Sequence, residues 1–125
     1  MKLTINQLLQ QGISAHKNNN LEEAERLYHD ILLLDLLHPH ANHNLALIAI
    51  SKNKSSDAFP LFRAAIKGNP NIENIWINYI HTLLIENLTE ECEMNCKKLI
   101  TLQPDSAKAY FYLAETLYKL NRLKE

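Results

Sequence analysis

The sequence predicts an all-α protein built from antiparallel helix pairs, and three observations lead to this fold class. The same apolar pattern returns every 34 positions, so that Ala24, Ala58 and Cys92 occupy equivalent places. An asparagine stands at one fixed place in every repeat of the pattern. Gly (2) and Pro (4) are scarce, which favours helices over a sheet protein rich in tight turns. Self-similarity at a fixed period of this length indicates a repeat architecture.

The period divides the chain into three complete blocks and one partial block, at residues 5–38, 39–72, 73–106 and 107–125. Each block is predicted to open with a first helix, at about 4–17, 40–52, 73–86 and 107–120. A second helix follows in the complete blocks, at about 21–35, 56–69 and 89–102. With 125 residues, of which 46% are apolar, the chain fits a single domain of seven helices. Because the last block stops where its second helix should begin, we expect a fragment of a longer chain.

The turns between paired helices share one residue type. They contain Asn19, Asn53, Asn87 and Asn121. A tight turn between helices usually needs one residue in the left-handed region, where Gly fits best and Asn next best. Between blocks, Pro70 and Pro104 are predicted to end the second helices, because proline lacks an amide hydrogen and disfavours helix in the residue before it.

Two helix starts are predicted from local signals. Asn20 and Glu23 have the spacing of a helix N-cap and its reciprocal partner. With an N-cap at Ser56 or Asp57, Pro60 would fall in the first turn of its helix, where backbone amides are largely unpaired in any case. Its cost is therefore expected to be small.

Composition argues against several classes of protein. A net charge of −1 lacks the basic surface of a nucleic-acid binder. Two cysteines make no disulfide framework and are expected to be reduced thiols. The longest apolar run, at 31–37, is interrupted by Asp35 and is too short to span a bilayer, and the first residues lack a signal peptide. We expect a cytoplasmic protein with no nucleic-acid or membrane partner.

The repeated positions resemble those of the tetratricopeptide repeat family. Its first-helix pattern of a large residue, Leu, a small residue and a further apolar residue falls on Leu8, Gln11, Gly12 and Ala15; on Asn42, Leu45, Ala46 and Ala49; on Trp76, Tyr79, Ile80 and Leu83; and on Tyr110, Leu113, Ala114 and Leu117. Its second-helix small residue and aromatic residue fall on Ala24, Ala58 and Cys92, and on Tyr28 and Phe62. The resemblance implies a right-handed superhelical solenoid of about 3.5 repeats. Its concave face, lined mainly by the first helices, would bind a peptide or protein.

Some positions depart from the family pattern, namely Gln11, Leu36, Asn42, Ile80 and Cys96. Ile80 is the most serious departure, because a small residue normally lets the paired helices approach there. We therefore expect a wider helix spacing in the third block.

The register places a mixed polar and apolar surface on the concave face. The candidate peptide-binding residues are Asn6, Gln10, His40, His43, Asn44, Asn74, Asn78, His81, Lys108, Phe111 and Tyr112. Such a surface suits an extended peptide, whose backbone needs donors and acceptors while its side chains need pockets. The predicted function is a protein-interaction scaffold.

Other chemistry was weighed at the histidines and cysteines. His38, His40 and His43 are either polar residues of the concave face or metal ligands, and the first reading is favoured because no tight ligand set exists. Cys92 and Cys96 have ligand spacing but occupy core positions, where cysteine behaves as a small hydrophobe. We find no catalytic constellation, so the chain is not expected to be an enzyme or to hold a cofactor or metal.

Two subfamilies of the repeat family offer narrower comparisons. Some tetratricopeptide co-chaperones hold a C-terminal carboxylate with a clamp of Lys and Asn, but the matching places here are Leu9 and Ile13. In O-linked N-acetylglucosamine transferases, an asparagine ladder grips peptide backbone, and Asn44 and Asn78 match it. Gln10 is an amide stand-in and Tyr112 departs.

Two alternative functions follow from these comparisons and from the last block. The first block also resembles repeats of bacterial proteins in which such an array precedes a glycosyltransferase-like domain. One alternative is therefore a substrate-docking region of a larger glycosyltransferase. The other is self-association through the uncovered face of the last block, at Leu113, Leu117 and Leu120.

Overall fold

A computed structural model describes residues 2–124, with side chains described as far as Arg122. This part of the chain contains seven α-helices and no strand. The helices are α1 (Ile5–Lys17), α2 (Leu21–Leu34), α3 (Pro39–Ser51), α4 (Ser55–Gly68), α5 (Glu73–Ile85), α6 (Thr89–Leu102) and α7 (Ala107–Lys124). The predicted all-α fold of helix pairs is confirmed, and the predicted bounds of α1 to α6 agree to about one residue.

The chain divides into two compact units. Unit 1 extends to Asn69 and contains α1 to α4, and unit 2 begins at Pro70 and contains α5 to α7. The prediction of a single domain that includes both units stays a prediction.

Three of the four predicted asparagine turns are confirmed. Asn19, Asn53 and Asn87 have φ of 59°, 60° and 61°. In each turn the next residue donates its amide to a carbonyl five residues back, with N···O distances of 2.8, 2.9 and 2.9 Å. This is the bond that closes a Schellman turn. The prediction for Asn121 is wrong, because α7 continues through it to Lys124. A left-handed residue is stabilised by the packing of the two helices it joins, and the described residues contain no helix after α7.

The predicted N-cap position of α2 is confirmed at Asn20, but the predicted reciprocal bonding with Glu23 is wrong. The Asn20 side chain makes no capping bond, and Glu23 accepts a hydrogen bond of 3.0 Å from Arg26 Nε instead. A reciprocal capping box is present one helix earlier. There Gln7 N donates to Thr4 Oγ1 at 3.1 Å, and Thr4 N donates to Gln7 Oε1 at 2.9 Å.

The predicted N-cap of α4, at Ser56 or Asp57, is wrong. The N-cap is Lys54, and the helix begins at Ser55, directly after the turn formed by Asn53. Pro60 therefore lies inside the helix and leaves the carbonyl of Ser56 without its usual intrahelical donor. The cost is larger than at a first-turn position, where no such bond exists.

Asn42, which departs from the family pattern, makes the same kind of hydrogen bond as Trp76 in the next repeat. Trp76 Nε1 donates to the Pro70 carbonyl at 2.8 Å, and Asn42 Nδ2 donates to the Leu36 carbonyl at 3.1 Å. Asn42 and Trp76 are 34 positions apart, as are Leu36 and Pro70. Both side chains are buried, and each satisfies a carbonyl that follows the end of a second helix.

The large Ile80 is matched by a small residue on the partner helix. In α1, a Cβ on Gly12 would lie 2.6 Å from Tyr28 Cε1, so the aromatic ring of α2 fills the space of the missing side chain. In the third repeat, Ile80 stands at the place of Gly12 and Cys96 at the place of Tyr28, and both are fully buried. In the first repeat the large side chain is on the second helix, and in the third repeat it is on the first helix. The exchange resembles a volume-conserving core substitution. The size of Ile80 does not by itself require a wider spacing.

Candidate functional site

The first helix of unit 1, α1, presents amide side chains without intramolecular partners. Asn6 and Gln10 are exposed, and neither these two nor Gln11 has a side-chain partner among residues 2–124. Together with Gln7 they line a shallow depression of about 410 Å³ on α1. Each amide offers a carbonyl acceptor and an NH₂ donor, which are the groups that a peptide backbone requires.

Asn44 on α3 has a partner within unit 1. Its half-buried side chain hydrogen-bonds to the Tyr28 hydroxyl, which also lies 3.4 Å from His16 Nδ1. Burial raises the pKa of Tyr28, and the bond with Asn44 opposes that shift. The neutral hydroxyl therefore links side chains of α1, α2 and α3. An asparagine-ladder role for Asn44 would require it to share or exchange this bond.

The three histidines at the start of α3 lie in different surroundings. His38 caps the helix, because its Nδ1 accepts a 3.1 Å hydrogen bond from Ala41 N. His40 is exposed, whereas His43 is only 6% exposed and its ring centroid lies 6.1 Å from that of Phe62. Burial and the neighbouring His40 lower the pKa of His43 to about 4. His43 is thus a neutral side chain with little surface left for a ligand, and its binding role stays a prediction.

Residues 2–124 contain His, Cys, Asp and Glu side chains, which are the usual metal ligands among amino acids. In this part of the chain no three His, Cys, Asp or Glu side chains come together as a metal-binding group.

The first helices of unit 2 place an aromatic and imidazole cluster at the surface. Tyr112 Oη lies 3.1 Å from His81 Nδ1, and Phe111 packs edge-on against Tyr112 with ring centroids 5.3 Å apart. His81 and Phe111 are exposed, and Tyr112 is half-buried. Of the other candidates in unit 2, Asn74 and Lys108 are exposed and Asn78 is half-buried. Unit 2 therefore offers aromatic surface, whereas unit 1 offers amides.

The two cysteines are core residues, as predicted. Both are fully buried, and Cys92 Sγ lies 3.1 Å from Thr116 Oγ1 on α7. The hydrogen bond with Cys92, together with burial, raises the pKa of Cys96, which is therefore a protonated thiol at neutral pH. Sequence reasoning missed Thr116, a fully buried polar residue whose hydroxyl donates to the Tyr112 carbonyl at 2.6 Å.

One face of α7 is uncovered in this structure. Tyr110 is 50% exposed and Leu117 is 41% exposed. Their equivalents in earlier repeats, Leu8 and Leu83, are 7% and 0% exposed because second helices pack over them. Ala114, between the two, is also exposed. Leu113 and Leu120, which were predicted to be uncovered together with Leu117, are half-buried instead. The exposed apolar face, formed by Tyr110, Ala114 and Leu117, is called the α7 face below.

No helix within the described residues is long and apolar enough to cross a membrane.

Comparison with solved structures shows the fold. The first tetratricopeptide domain of Spaghetti (RPAP3), bound to the HSP90 peptide SRMEEVD, matches 94% of this chain and 95% of its own with a TM-score of 0.79 and 18% identity. The Sgt2 tetratricopeptide domain from Aspergillus fumigatus matches 96% of this chain and 81% of its own, with a TM-score of 0.79 and 16% identity.

Sequence comparison identifies the family. A "Protein STIP1 homolog" of Dictyostelium discoideum is 32% identical over 77 residues, which are 62% of this chain and 14% of that protein. The profile of the family described as "Tetratricopeptide repeat" matches residues 9–71. The matched segment spans the helices α2, α3 and α4 and most of α1, and it includes the turns at Asn19 and Asn53 and the small residues Ala24 and Ala58. The chain belongs to the tetratricopeptide repeat family.

Proposed function

We propose that this protein is an interaction scaffold that binds a peptide or protein segment on the exposed faces of its first helices. The observation that carries the proposal is the set of amides on α1 that are exposed and lack intramolecular partners. The exposed His81 and Phe111 beside Tyr112 supply a second candidate surface in unit 2. The Spaghetti domain, which shares the fold, was solved with a bound peptide, and this supports a peptide as the ligand.

The proposed ligand differs from a carboxylate-terminated peptide. The places that correspond to the co-chaperone clamp are held by Leu9, which is buried, and by Ile13, which packs against the core of unit 1. Neither side chain can form a charge-assisted hydrogen bond to a carboxylate. We expect the peptide SRMEEVD not to bind this chain.

A peptide selection with paired variants tests the proposal. Peptides are selected on the full chain from a displayed random library and then measured by fluorescence anisotropy. Removing two amides in Asn6→Ala/Gln10→Ala should weaken binding of a peptide that contacts α1 about thirtyfold, because each of the two lost hydrogen bonds is worth about 1 kcal/mol. The control variant Leu33→Ala changes an exposed residue of α2 and should bind as the wild type does. Failure to select any peptide would contradict the proposal, and equal binding of every selected peptide by all three proteins would contradict the binding role of α1.

The α7 face favours a second candidate function, self-association. Contiguous exposed apolar residues often mark protein-protein contacts. A lysine in Leu117→Lys would place a charge in such a contact and should shift the protein toward the monomer. Light scattering over a range of concentrations measures this, and a wild-type protein that stays monomeric throughout rules the candidate out.

The hypothesis of a substrate-docking region in a larger glycosyltransferase stays a prediction. The family match concerns the repeats, and repeats of this fold serve many different proteins.

A further inference from the structure

Charge is distributed unevenly between the helices of unit 1. Across α1 and α3 the only Asp, Glu, Lys or Arg is Lys17, the last residue of α1. The second helices of the same unit carry many charges: Glu22, Glu23, Glu25, Arg26, Asp30, Asp57, Arg63 and Lys67. A surface helix typically carries charged residues on its exposed side. The near absence of charge therefore distinguishes the exposed sides of α1 and α3.

The exposed side chains of α1 and α3 exclude several ligand classes. Carboxylates and phosphates are held by Arg, Lys or clusters of backbone amides, and the exposed surface of these helices offers no such cation apart from Lys17. Sugars and nucleobases need flat aromatic surfaces for stacking, but neither helix contains Phe, Tyr or Trp. Apart from Lys17 and the imidazoles of His16 and His40, a ligand on the exposed side of α1 and α3 therefore has to be recognised without ion pairs and without aromatic stacking.

The remaining groups match an extended peptide. Asn6, Gln10 and Gln11 offer donors and acceptors that nothing else in the described chain uses. Ile13 on α1 and Leu47 on α3 are half-buried and offer aliphatic surface. The unit 1 face is defined here by these five residues. Amides pair with backbone N–H and C=O groups, and aliphatic side chains form pockets for residues of the same kind.

We infer that the unit 1 face recognises an extended, uncharged peptide segment that carries aliphatic side chains. Its amides bind the backbone of the segment. A charged residue in the segment would be partly desolvated against a surface that has no counter-charge, and this penalty makes the face selective against charge. The inference rests on the proposed function, because it names the chemical class of the ligand for the same surface.

Three matched peptide sets test the inference on the full chain. All sets alternate valine or leucine with a second residue, which is asparagine or serine in the neutral set, aspartate in the acidic set and lysine in the basic set. We expect the neutral set to bind at least about tenfold more tightly than either charged set. Its Kd should change less than about twofold between about 0.05 M and about 0.5 M NaCl, since salt screens only charge interactions.

A pair of variants locates the binding on the unit 1 face. Gln10→Lys places a cation in the face, while the control Leu33→Lys places the same cation at an exposed position of α2. Gln10→Lys should weaken the neutral set about threefold or more, since the amide hydrogen bond is lost, and should improve binding of the acidic set. Leu33→Lys should change neither.

The possible failures are distinguishable. Tighter binding of a charged set to the wild type, with loss in Asn6→Ala/Gln10→Ala, would overturn the inference and leave the scaffold function standing. Equal neutral-set binding by Gln10→Lys and Leu33→Lys would overturn the assignment to this face. No binding by any set would overturn the inference, and failure of the random library as well would overturn the proposed function with it.

Discussion

The burial of His43 predicts a loss of stability in mild acid. The pKa of a free histidine is 6.5, and in the folded chain the pKa of His43 is lowered to about 4 by burial and by His40. The unfolded chain therefore takes up a proton at this residue before the folded chain does. Stability from His43 is complete above the unfolded pKa, decreases as the pH falls below it, and is fully lost below about pH 4. The sign follows from the lowered pKa of the folded state.

The size of the effect follows from the same two pKa values. The difference between these two pKa values corresponds to about 3 kcal/mol when the whole interval is crossed. Between about pH 7.5 and about pH 5 the linkage relation gives a loss of about 2 kcal/mol from this residue alone. A loss of this size is a large fraction of the total stability of a small domain.

Urea unfolding followed by circular dichroism at these two pH values measures the effect. His43→Gln keeps a polar side chain but cannot titrate, so it should lose about 2 kcal/mol less than the wild type when the pH is lowered. His29→Gln is the matched control, because His29 is an exposed histidine of α2 and is not among the causes of the lowered pKa of His43, and it should follow the wild type. If His43→Gln loses as much stability as the wild type, the assignment of His43 as a buried neutral imidazole is wrong.

Two further predictions concern the repeat itself. Asn53→Ala should lower the free energy of unfolding by about 1 kcal/mol, because alanine is strained in the left-handed region, whereas Asn53→Gly should leave it nearly unchanged. Asn121→Ala, within α7, should show no such loss in thermal unfolding, and equal losses at both asparagines would contradict the assigned turn. For the exchanged pair, Ile80→Ala should cost about 2–5 kcal/mol and Cys96→Phe about 1–3 kcal/mol. The double variant should cost at least about 1 kcal/mol less than their sum, and strictly additive costs would mean that the two side chains do not share a space.

The helices were predictable because their signals are local and repeated. The 34-residue period aligned Asn19, Asn53 and Asn87, and all three have positive φ. The errors arose where a signal had more than one physical use. Glu23 has the spacing of a capping partner, but it also lies three residues before Arg26, and the ion pair formed instead. Pro60 was placed in a first turn because Ser56 and Asp57 are good caps, yet α4 starts directly after the asparagine turn.

Which of the candidate binding residues are exposed and free of intramolecular hydrogen bonds could be predicted only in part. Asn6 and Gln10 are exposed as the register required, because helical periodicity alone places them away from the core of α1. His43 and Asn44 occupy equally plausible positions on α3, but the first is largely buried and the second hydrogen-bonds to Tyr28. Periodicity along one helix cannot show which neighbouring helix covers a side chain.

By itself, the sequence determined the helical class, the pairing of the helices, the three asparagine turns and the family. These properties depend on apolar spacing and backbone preference, which act over a few residues and recur at a fixed step. The tertiary structure decided which polar groups are already used and which are free for a ligand. It showed that Asn42 replaces a tryptophan as a donor and that Thr116 lies against Cys92. The physical reason is that burial and hydrogen bonding join residues far apart in the chain, and only the packed helices bring them together.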